Sequence, residues 1–267
     1  MRRLSISRLA TALLIGHAVA LLADDTAATR REQRLQQMRG QVEALKLKVE
    51  QRPGDRQPRL ARDPLLRFDD PTRDFYDGAL WMWCDRGRPH VLVSTERYEK
   101  FWSYEWISLT AEPFSIDTSN GWIWQPTDPP FVEQTIKDAA VGETPAIRRR
   151  QARDLSRRFE TAEYLGEVKA RTVLRLSPRP IHEYEDGELL HGSMFVFANG
   201  INPEVLLLLE ARSTAGKQYW QFAFAPLSSA RVEAKLGIQV VWEAAAQEKP
   251  QAQRPYAYSQ VPIEVDE

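Results

Sequence analysis

The sequence predicts an α+β protein, mainly β, in which two tandem antiparallel β-meander repeats form one pseudo-two-fold sandwich or barrel-like unit. Residues 77–96 and 191–210 have the same length and align without a gap. Composition alone would give about one or two identical positions in so short an alignment, and this alignment has more. The identical residues are Gly78, Pro89, Val91, Leu92 and Glu96, which match Gly192, Pro203, Val205, Leu206 and Glu210. Both stretches hold two apolar runs around a turn, which is typical of paired antiparallel strands. We also expect an N-terminal helix and a helix that links the repeats.

Residues 1–23 predict an export signal. Three arginines within the first eight residues precede an apolar run over 9–22, which is too short to span a membrane comfortably. Cleavage is expected after Ala20 or Ala23, and an uncleaved anchor is the alternative. We therefore expect an exported protein, periplasmic or extracellular, with no membrane attachment after cleavage.

Residues 24–59 predict a helical or coiled-coil segment followed by a linker. Apolar residues alternate at spacings of three and four, namely Leu35, Met38, Val42, Leu45 and Val49. This spacing fits equally a helix packed on its own domain and a short coil that forms a homo-oligomer through residues 29–51. Pro53-Gly54-Asp55 ends the helix and begins the linker.

Residues 60–126 and 173–246 are the two predicted β repeats. Strands are expected in the first repeat near residues 65–69, 79–85, 90–95, 101–110, 114–117 and 121–125. Aromatic residues alternate along one strand of each repeat, as Trp102, Tyr104 and Trp106 in the first and Trp220, Phe222 and Phe224 in the second. A period of two places these side chains on one face of a sheet, and the matched parity favours one aromatic core shared by both repeats.

Residues 127–172 predict a connection that contains a helix over 145–165, started by Thr144 and Pro145. Arginines cover much of that helix, namely Arg148, Arg149, Arg150, Arg153, Arg157 and Arg158. They could contact phosphates, but acidic residues interrupt the series, and a solvated outer face is favoured. Residues 247–267 predict a flexible, proline-bearing tail.

The composition excludes several classes of protein. The 36 basic and 37 acidic residues give a net charge of -1, so no long-range field steers nucleic acid toward the chain. Cys84 is the single cysteine, which rules out an internal disulfide and a cysteine-rich zinc site. Because Cys84 shares a strand face with apolar residues, we expect a small buried side chain and no nucleophile.

Tryptophans are concentrated in the first repeat, at Trp81, Trp83, Trp102, Trp106, Trp122 and Trp124. Flat indole rings can stack on sugars, so this group suggests a carbohydrate-binding platform. The second repeat has phenylalanine or valine at several matching positions, which keeps bulk and loses the indole shape. A packed core is therefore the favoured interpretation.

Candidate catalytic and metal-binding residues are few. The acidic group Asp69, Asp70, Asp74 and Asp77, the acidic stretch 183–188, and the histidines His90, His182 and His191 lack the spacing of known metal motifs. Glu96 and Glu210 end matching strands, and paired carboxylates can perform acid–base chemistry if they meet. We predict no catalytic residue, no metal site and no cofactor.

The repeated motifs resemble a known group of sequences. The stretches DGALW with RPHVLVS, WSYEWISLT, GSMFVFANGINPEVLLLLEAR and YWQFAFAPLSS are similar to an uncharacterised family of exported bacterial proteins with two related halves. The resemblance implies export and a two-halved β fold. No activity is known for the family, so the resemblance assigns none to this chain. The family pattern has Asp-Gly before each strand pair, whereas this chain has Asp77-Gly78 and His191-Gly192.

These observations favour a non-enzymatic exported binding or structural module that acts through a protein or an extracellular polysaccharide or other polymer. The first alternative is a secreted glycan or ester hydrolase that uses acidic residues such as Asp74, Asp77, Glu96 or Glu210. The second is a carbohydrate-binding module that uses the tryptophans of the first repeat. A cleft with two nearby carboxylates would favour the hydrolase, and exposed coplanar indoles would favour sugar binding.

Overall fold

The computed structural model describes residues 28–50, 57–118, 121–166, 170–187 and 189–263. The chain divides into two compact units, Met1–Gln41 and Val42–Glu267. In the first unit the described residues are all helical and belong to helix α1, which spans residues 28–43. The predicted export signal over residues 1–23 lies outside the described residues.

Helix α1 is shorter than the predicted helical segment. It ends at residue 43, and Lys46–Val49 form strand β1, in which Val49 pairs with Phe114. Pairing with a distant strand therefore overrides the helical spacing at the end of this segment. The remaining apolar spacing is shorter than the about three or four heptads that define a coiled coil. Homo-oligomer formation through residues 29–51 stays a prediction.

The described residues are mainly β, which confirms the predicted fold class, and they include one further helix, α2 (Pro145–Ser156). The strands are β1 (Lys46–Val49), β2 (Arg59–Leu60), β3 (Leu66–Asp70), β4 (Phe75–Asp85), β5 (Arg88–Tyr98), β6 (Phe101–Ser108), β7 (Phe114–Asp117), β8 (Ile123–Trp124), β9 (Gln134–Thr135), β10 (Phe159–Leu165), β11 (Ala170–Val173), β12 (Arg175–Leu176), β13 (His182–Asp186), β14 (Leu189–Asn199), β15 (Asn202–Thr214), β16 (Lys217–Pro226), β17 (Arg231–Leu236), β18 (Gln239–Ala244) and β19 (Tyr256–Pro262).

Two large antiparallel sheets form the centre of the second unit. The first has the order β19-β6-β5-β4-β2 with β3 also on β4, and the second has the order β12-β14-β15-β16-β9 with β13 also on β14. Mostly aliphatic side chains from both sheets form one buried cluster, which includes Leu80, Met82 and Leu92 from the first and Met194 and Leu206 from the second. The two sheets therefore pack face to face as a sandwich, one of the two predicted arrangements.

The two stretches that repeat in the sequence form hairpins with the same register. In the β4-β5 hairpin Gly78 pairs with Glu96, and in the β14-β15 hairpin Gly192 pairs with Glu210. Each hairpin contains two shifts of register, and these shifts fall at matching positions of the alignment. The local geometry of the two hairpins therefore agrees in detail.

Glycine is required at the start of both hairpins because an aromatic ring crosses the backbone there. A Cβ atom on Gly78 would lie 2.8 Å from the ring of Phe68, and one on Gly192 would lie 2.5 Å from the ring of Tyr184. Both distances are shorter than van der Waals contact between carbon atoms. A side chain at either position would therefore displace the buried ring.

The alternating aromatic side chains lie on the outer faces of the sandwich. In the second sheet Trp220 and Phe224 pack beneath α2 and the four-stranded sheet β11-β10-β17-β18. In the first sheet Trp106 packs against Trp122 and Trp124, beside the three-stranded sheet β1-β7-β8. The prediction of one aromatic core shared by both repeats is therefore wrong. Parity shows which side chains share a face, but it does not show whether that face points toward the other sheet.

Two edge strands pair with the large sheet that the other half of the chain forms. Strand β9 follows β8 in the chain and pairs with β16, and β19 follows β18 and pairs with β6 along Tyr256–Pro262. The sequence predicts a flexible tail over residues 247–267, and β19 contradicts this prediction. Its proline is tolerated because an edge strand pairs along one side only.

Helix α2 begins where the sequence predicts and ends earlier. The Thr144 hydroxyl accepts a hydrogen bond from the Ile147 N–H at 3.3 Å, and Pro145 is the first helical residue. The predicted helix over 145–165 is wrong beyond Ser156, because Phe159–Leu165 form β10 and pair with β17. Long-range sheet pairing again overrides an apolar spacing that fits a helix.

Candidate functional site

The tryptophans do not form an exposed platform. Trp81, Trp106 and Trp124 are completely buried, and Trp83 and Trp102 expose 5% and 7% of their surface. A sugar can stack only on an indole face that is open to solvent. Five of the six first-repeat tryptophans therefore lack the exposure that a carbohydrate platform needs, which contradicts the basis of that alternative.

An open cavity of about 970 Å³ lies beside the interface between the two large sheets. It is lined by the β4-β5 turn, the loop after β6, the segment 129–133 and the end of β13. Pro89, Pro113, Pro129 and Pro130 contribute to its wall. Because proline fixes one backbone angle, these residues favour a preformed cavity.

The charged side chains around this cavity differ in their pairing. Arg86 lies 3.7 Å from Asp85 and 3.6 Å from Asp186. Arg88 is half-buried in the lining and forms no ion pair with any residue that the structure describes, and the neighbouring His90 exposes only 5% of its surface. A guanidinium in this setting can receive an anionic group.

Glu210 is connected to the cavity lining through Arg212 and is held by three hydrogen bonds. It accepts them from the Tyr184 hydroxyl at 2.8 Å, from Arg212 at 2.9 Å and from the Gln221 amide at 3.0 Å. Arg212 also lies 4.0 Å from Glu133, which belongs to the cavity lining. The partners of Glu210 therefore fix its orientation and connect it to the wall.

A second polar group, which we call the Arg73 cluster, consists of Arg73, Asp70, Glu163, Glu204 and Asn202. The Arg73 guanidinium lies 2.8 Å from Glu163, 3.0 Å from Glu204 and 3.3 Å from Asp70. The Asn202 amide donates to Glu204 at 2.8 Å. Glu163 and Glu204 are almost completely buried. One arginine therefore connects the end of β3 to β10 and β15.

Carboxyl groups near this cluster hold their protons unusually strongly. Burial raises the pKa of Glu96 to about 7, although a hydrogen bond from Tyr98 opposes this shift. Burial also raises the pKa of Glu105 and Glu204 well above the usual range, and the neighbouring Glu163 adds to the effect on Glu204. Shifts of this kind are common at functional sites, although structural ion-pair networks produce them as well.

The acidic residues singled out in the sequence do not form one site. Glu96 and Glu210 lie in different hydrogen-bond networks, on strands of different sheets. Asp77 is buried and pairs with Arg67 at 2.7 Å, and Asp74 ends a short 3₁₀ turn in the left-handed conformation. Within the described ranges, no group of three or more potential ligands is placed to hold a metal ion.

Two histidines have local hydrogen-bond partners, and the single cysteine is half-buried. His191 Nε2 lies 2.8 Å from the Ser193 hydroxyl, and burial lowers the pKa of this imidazole. His182 Nε2 lies 2.7 Å from the Gly87 carbonyl. Burial raises the pKa of the half-buried Cys84 thiol, which disfavours the thiolate that a nucleophile would need.

Sequence reasoning missed the residues that matter most in the two polar regions, namely Arg73, Arg88, Glu163 and Glu204. A signal was present for Glu204, which directly precedes the apolar run 205–209. A charge within a buried strand requires a specific partner, because an unpaired buried charge is costly. The identity of that partner is not a local property of the sequence.

Comparisons with known proteins give no match, since no protein-family model, no curated protein and no solved structure matches this chain. In the part of the chain that the structure describes, no helix is both long and apolar enough to cross a membrane. The case for a function therefore rests on the cavity and on the Arg73 cluster.

Proposed function

We propose that this protein is an exported, non-enzymatic binding module that holds part of a protein or polymer partner in its open cavity. The cavity carries the proposal, because its volume of about 970 Å³ lies at the upper end of the about 300–1,000 Å³ typical of ligand sites. The prolines in its wall favour a preformed cavity, which reduces the ordering of the protein that binding requires. The half-buried Arg88 supplies a charged contact inside it.

We infer that the chain is an internal duplication, which the matched registers of the β4-β5 and β14-β15 hairpins support. His90 and Glu204 occupy corresponding positions, each directly after a proline. Glu204 is closed in by Arg73, whereas His90 lines the open cavity. The two corresponding positions therefore lie in different environments. The cavity beside His90 is open to solvent, so it is the better candidate for a binding site.

A secreted glycan or ester hydrolase is the second candidate. A carboxyl with a pKa of about 7, as at Glu96, is suited to general acid–base catalysis. A substrate would have to reach that carboxyl, but Glu96 exposes only 7% of its surface. In the cavity, Asp85 and Asp186 lie 3.7 Å and 3.6 Å from Arg86, so both carboxylates are held in ion pairs. Binding is therefore favoured over hydrolysis.

Export is part of the proposal, and the basic start and apolar run of residues 1–23 support it. Sequencing the N-terminus of the protein purified from its own cells tests it. We expect the mature chain to begin directly after Ala20 or Ala23. A chain that still begins at Met1 in the soluble cytoplasmic fraction would contradict export.

Filling the cavity tests the binding role. Thr110→Trp places an indole in the cavity lining, and Ile238→Trp is the matched control because Ile238 is fully exposed in the turn between β17 and β18. Tagged wild-type protein and both variants are used to capture partners from the native cell envelope. Thermal unfolding followed by circular dichroism checks that both variants are folded.

We expect a partner that wild type and Ile238→Trp retain and that Thr110→Trp loses. Equal capture by all three proteins would overturn the assignment of binding to the cavity. A parallel screen of glycans and esters separates the second candidate, because turnover by wild type that Glu96→Gln abolishes would replace the binding role with hydrolysis.

A further inference from the structure

A second, smaller pocket of about 400 Å³ lies between the end of α2 and strand β12. Arg153 and Arg157 enter its lining from the helix end, and Arg175 enters from β12. Phe195 also lines it and is almost completely buried. Among the described residues, no acidic side chain belongs to this lining. Three arginines from two elements therefore line one pocket.

Helix geometry explains only part of this arrangement. Arginine near the end of a helix complements the negative end of the helix dipole, which accounts for Arg153 and Arg157. Arg175 comes from a strand and donates to the Gly200 carbonyl at 2.9 Å. Arg157 also pairs with Asp154 at 3.1 Å, but both side chains are exposed, and such a pair contributes little to stability. The guanidinium groups therefore keep donors and positive charge for a ligand.

We propose that this pocket binds a tetrahedral oxyanion, the phosphate or sulfate ester of a small molecule or of a polymer. Guanidinium groups present planar pairs of N–H donors that match phosphate and sulfate oxygens. The pocket serines contribute less, because the Ser156 and Ser177 hydroxyls already donate to backbone carbonyls at 2.9 Å and 3.0 Å. Recognition therefore depends on the arginines.

The volume of the pocket and its apolar contact indicate what carries the oxyanion. A volume of about 400 Å³ leaves room for part of the esterified molecule beside the anionic group. Leu176 and Pro178, which also line the pocket, offer that part an apolar surface. The arginine pocket has a lining separate from that of the larger cavity, so this inference stands independently of the proposed function.

Calorimetric titration of the full chain tests the inference with inorganic phosphate, inorganic sulfate and acetate at constant ionic strength. The double variant Arg153→Gln/Arg175→Gln removes two pocket arginines. The double variant Arg150→Gln/Arg158→Gln removes the same charge from exposed positions outside the pocket lining. All four arginines are exposed, so we expect both variants to fold, and circular dichroism checks this.

We expect wild type to bind phosphate or sulfate saturably and more tightly than acetate. The pocket variant should weaken that binding at least tenfold, and the control variant should stay within twofold of wild type. Binding of acetate as tight as phosphate, or equal weakening in both variants, would show a general charge effect and overturn the inference. Titration with polyphosphate, a sulfated polysaccharide and a phosphate monoester then shows whether the oxyanion belongs to a polymer or to a small molecule. Tighter binding per anionic group by a polymer indicates a polyanion, and tighter binding by the monoester indicates a small molecule.

Discussion

Replacing Arg73 with glutamine should destabilise the protein by about 3 kcal/mol at pH 8. The guanidinium lies 2.8 to 3.3 Å from Glu163, Glu204 and Asp70, and the two glutamates expose at most 1% of their surface. Removing one partner of a buried ion pair costs about 3–5 kcal/mol, because the other charge stays buried. The low end applies here because the Arg73 side chain is 27% exposed and water screens part of its charge.

The cost of this replacement should shrink as the pH falls. Burial raises the pKa of Glu204, and the positive charge of Arg73 opposes that rise. Without Arg73 the pKa of Glu204 rises further, so proton uptake relieves the unpaired charge at mildly acidic pH. The destabilisation should therefore be larger at pH 8 than at pH 5.

Urea unfolding of wild type and Arg73→Gln from pH 5 to pH 8 measures this effect, since the urea midpoint and the m-value together give the free energy of unfolding. Arg254→Gln is the control, because Arg254 pairs with Asp128 at 3.2 Å and both of these side chains are exposed. We expect the control to unfold like wild type at every pH. A loss below about 1 kcal/mol at pH 8, the size of an exposed ion pair, would refute the reasoning, as would a loss that does not shrink toward pH 5.

Further predictions concern Glu96, the aromatic face and the last strand. Because folding raises the pKa of Glu96 from 4.5 to about 7, the folded state binds this proton more tightly, so the free energy of unfolding should fall by up to about 3 kcal/mol between pH 4.5 and pH 7. In Glu96→Gln this part of the pH dependence should disappear, and an unchanged profile in urea titrations would contradict the assignment. Phe222→Ala should lower the free energy of unfolding in urea by about 3–5 kcal/mol, because Phe222 is buried and its ring centroid lies 4.9 Å from that of Phe159. A loss within experimental error would mean that this face of the sheet is open to solvent. Deleting the chain after Arg254 removes β19 and bares the edge of β6, so the thermal midpoint should drop, whereas an unchanged midpoint would show that β19 is dispensable.

The long hairpins could be predicted because their signals are local. Apolar runs on both sides of Gly87 and Gly200 predict paired strands, and both glycines have the positive φ that a tight turn requires. The structure places β4-β5 and β14-β15 at these turns. Alternation and turn chemistry act over a few residues, so the sequence alone reports them well.

The remaining features depend on contacts between distant residues. Arg73 meets Glu163 across 90 positions of the chain, and Trp106 meets Ser259 across 153. Strand β9 has only two residues, which is too short for a periodic signal. Even where the alternation was clear, as at Phe222, it did not show that the aromatic face points away from the other large sheet. The packing of the sheets against each other determines these long-range contacts and the direction in which each face points.

Photo-crosslinking from the cavity tests the binding role most directly. A benzoylphenylalanine replaces Ala111, an exposed residue of the cavity lining, or Ile238 as the control, in protein that is then irradiated with native cell envelope. Mass spectrometry identifies the molecules that become attached. A discrete adduct at position 111 that is missing at position 238, and that Thr110→Trp suppresses, is the predicted result. The same adducts at both positions, or none at position 111, would contradict a binding role for the cavity.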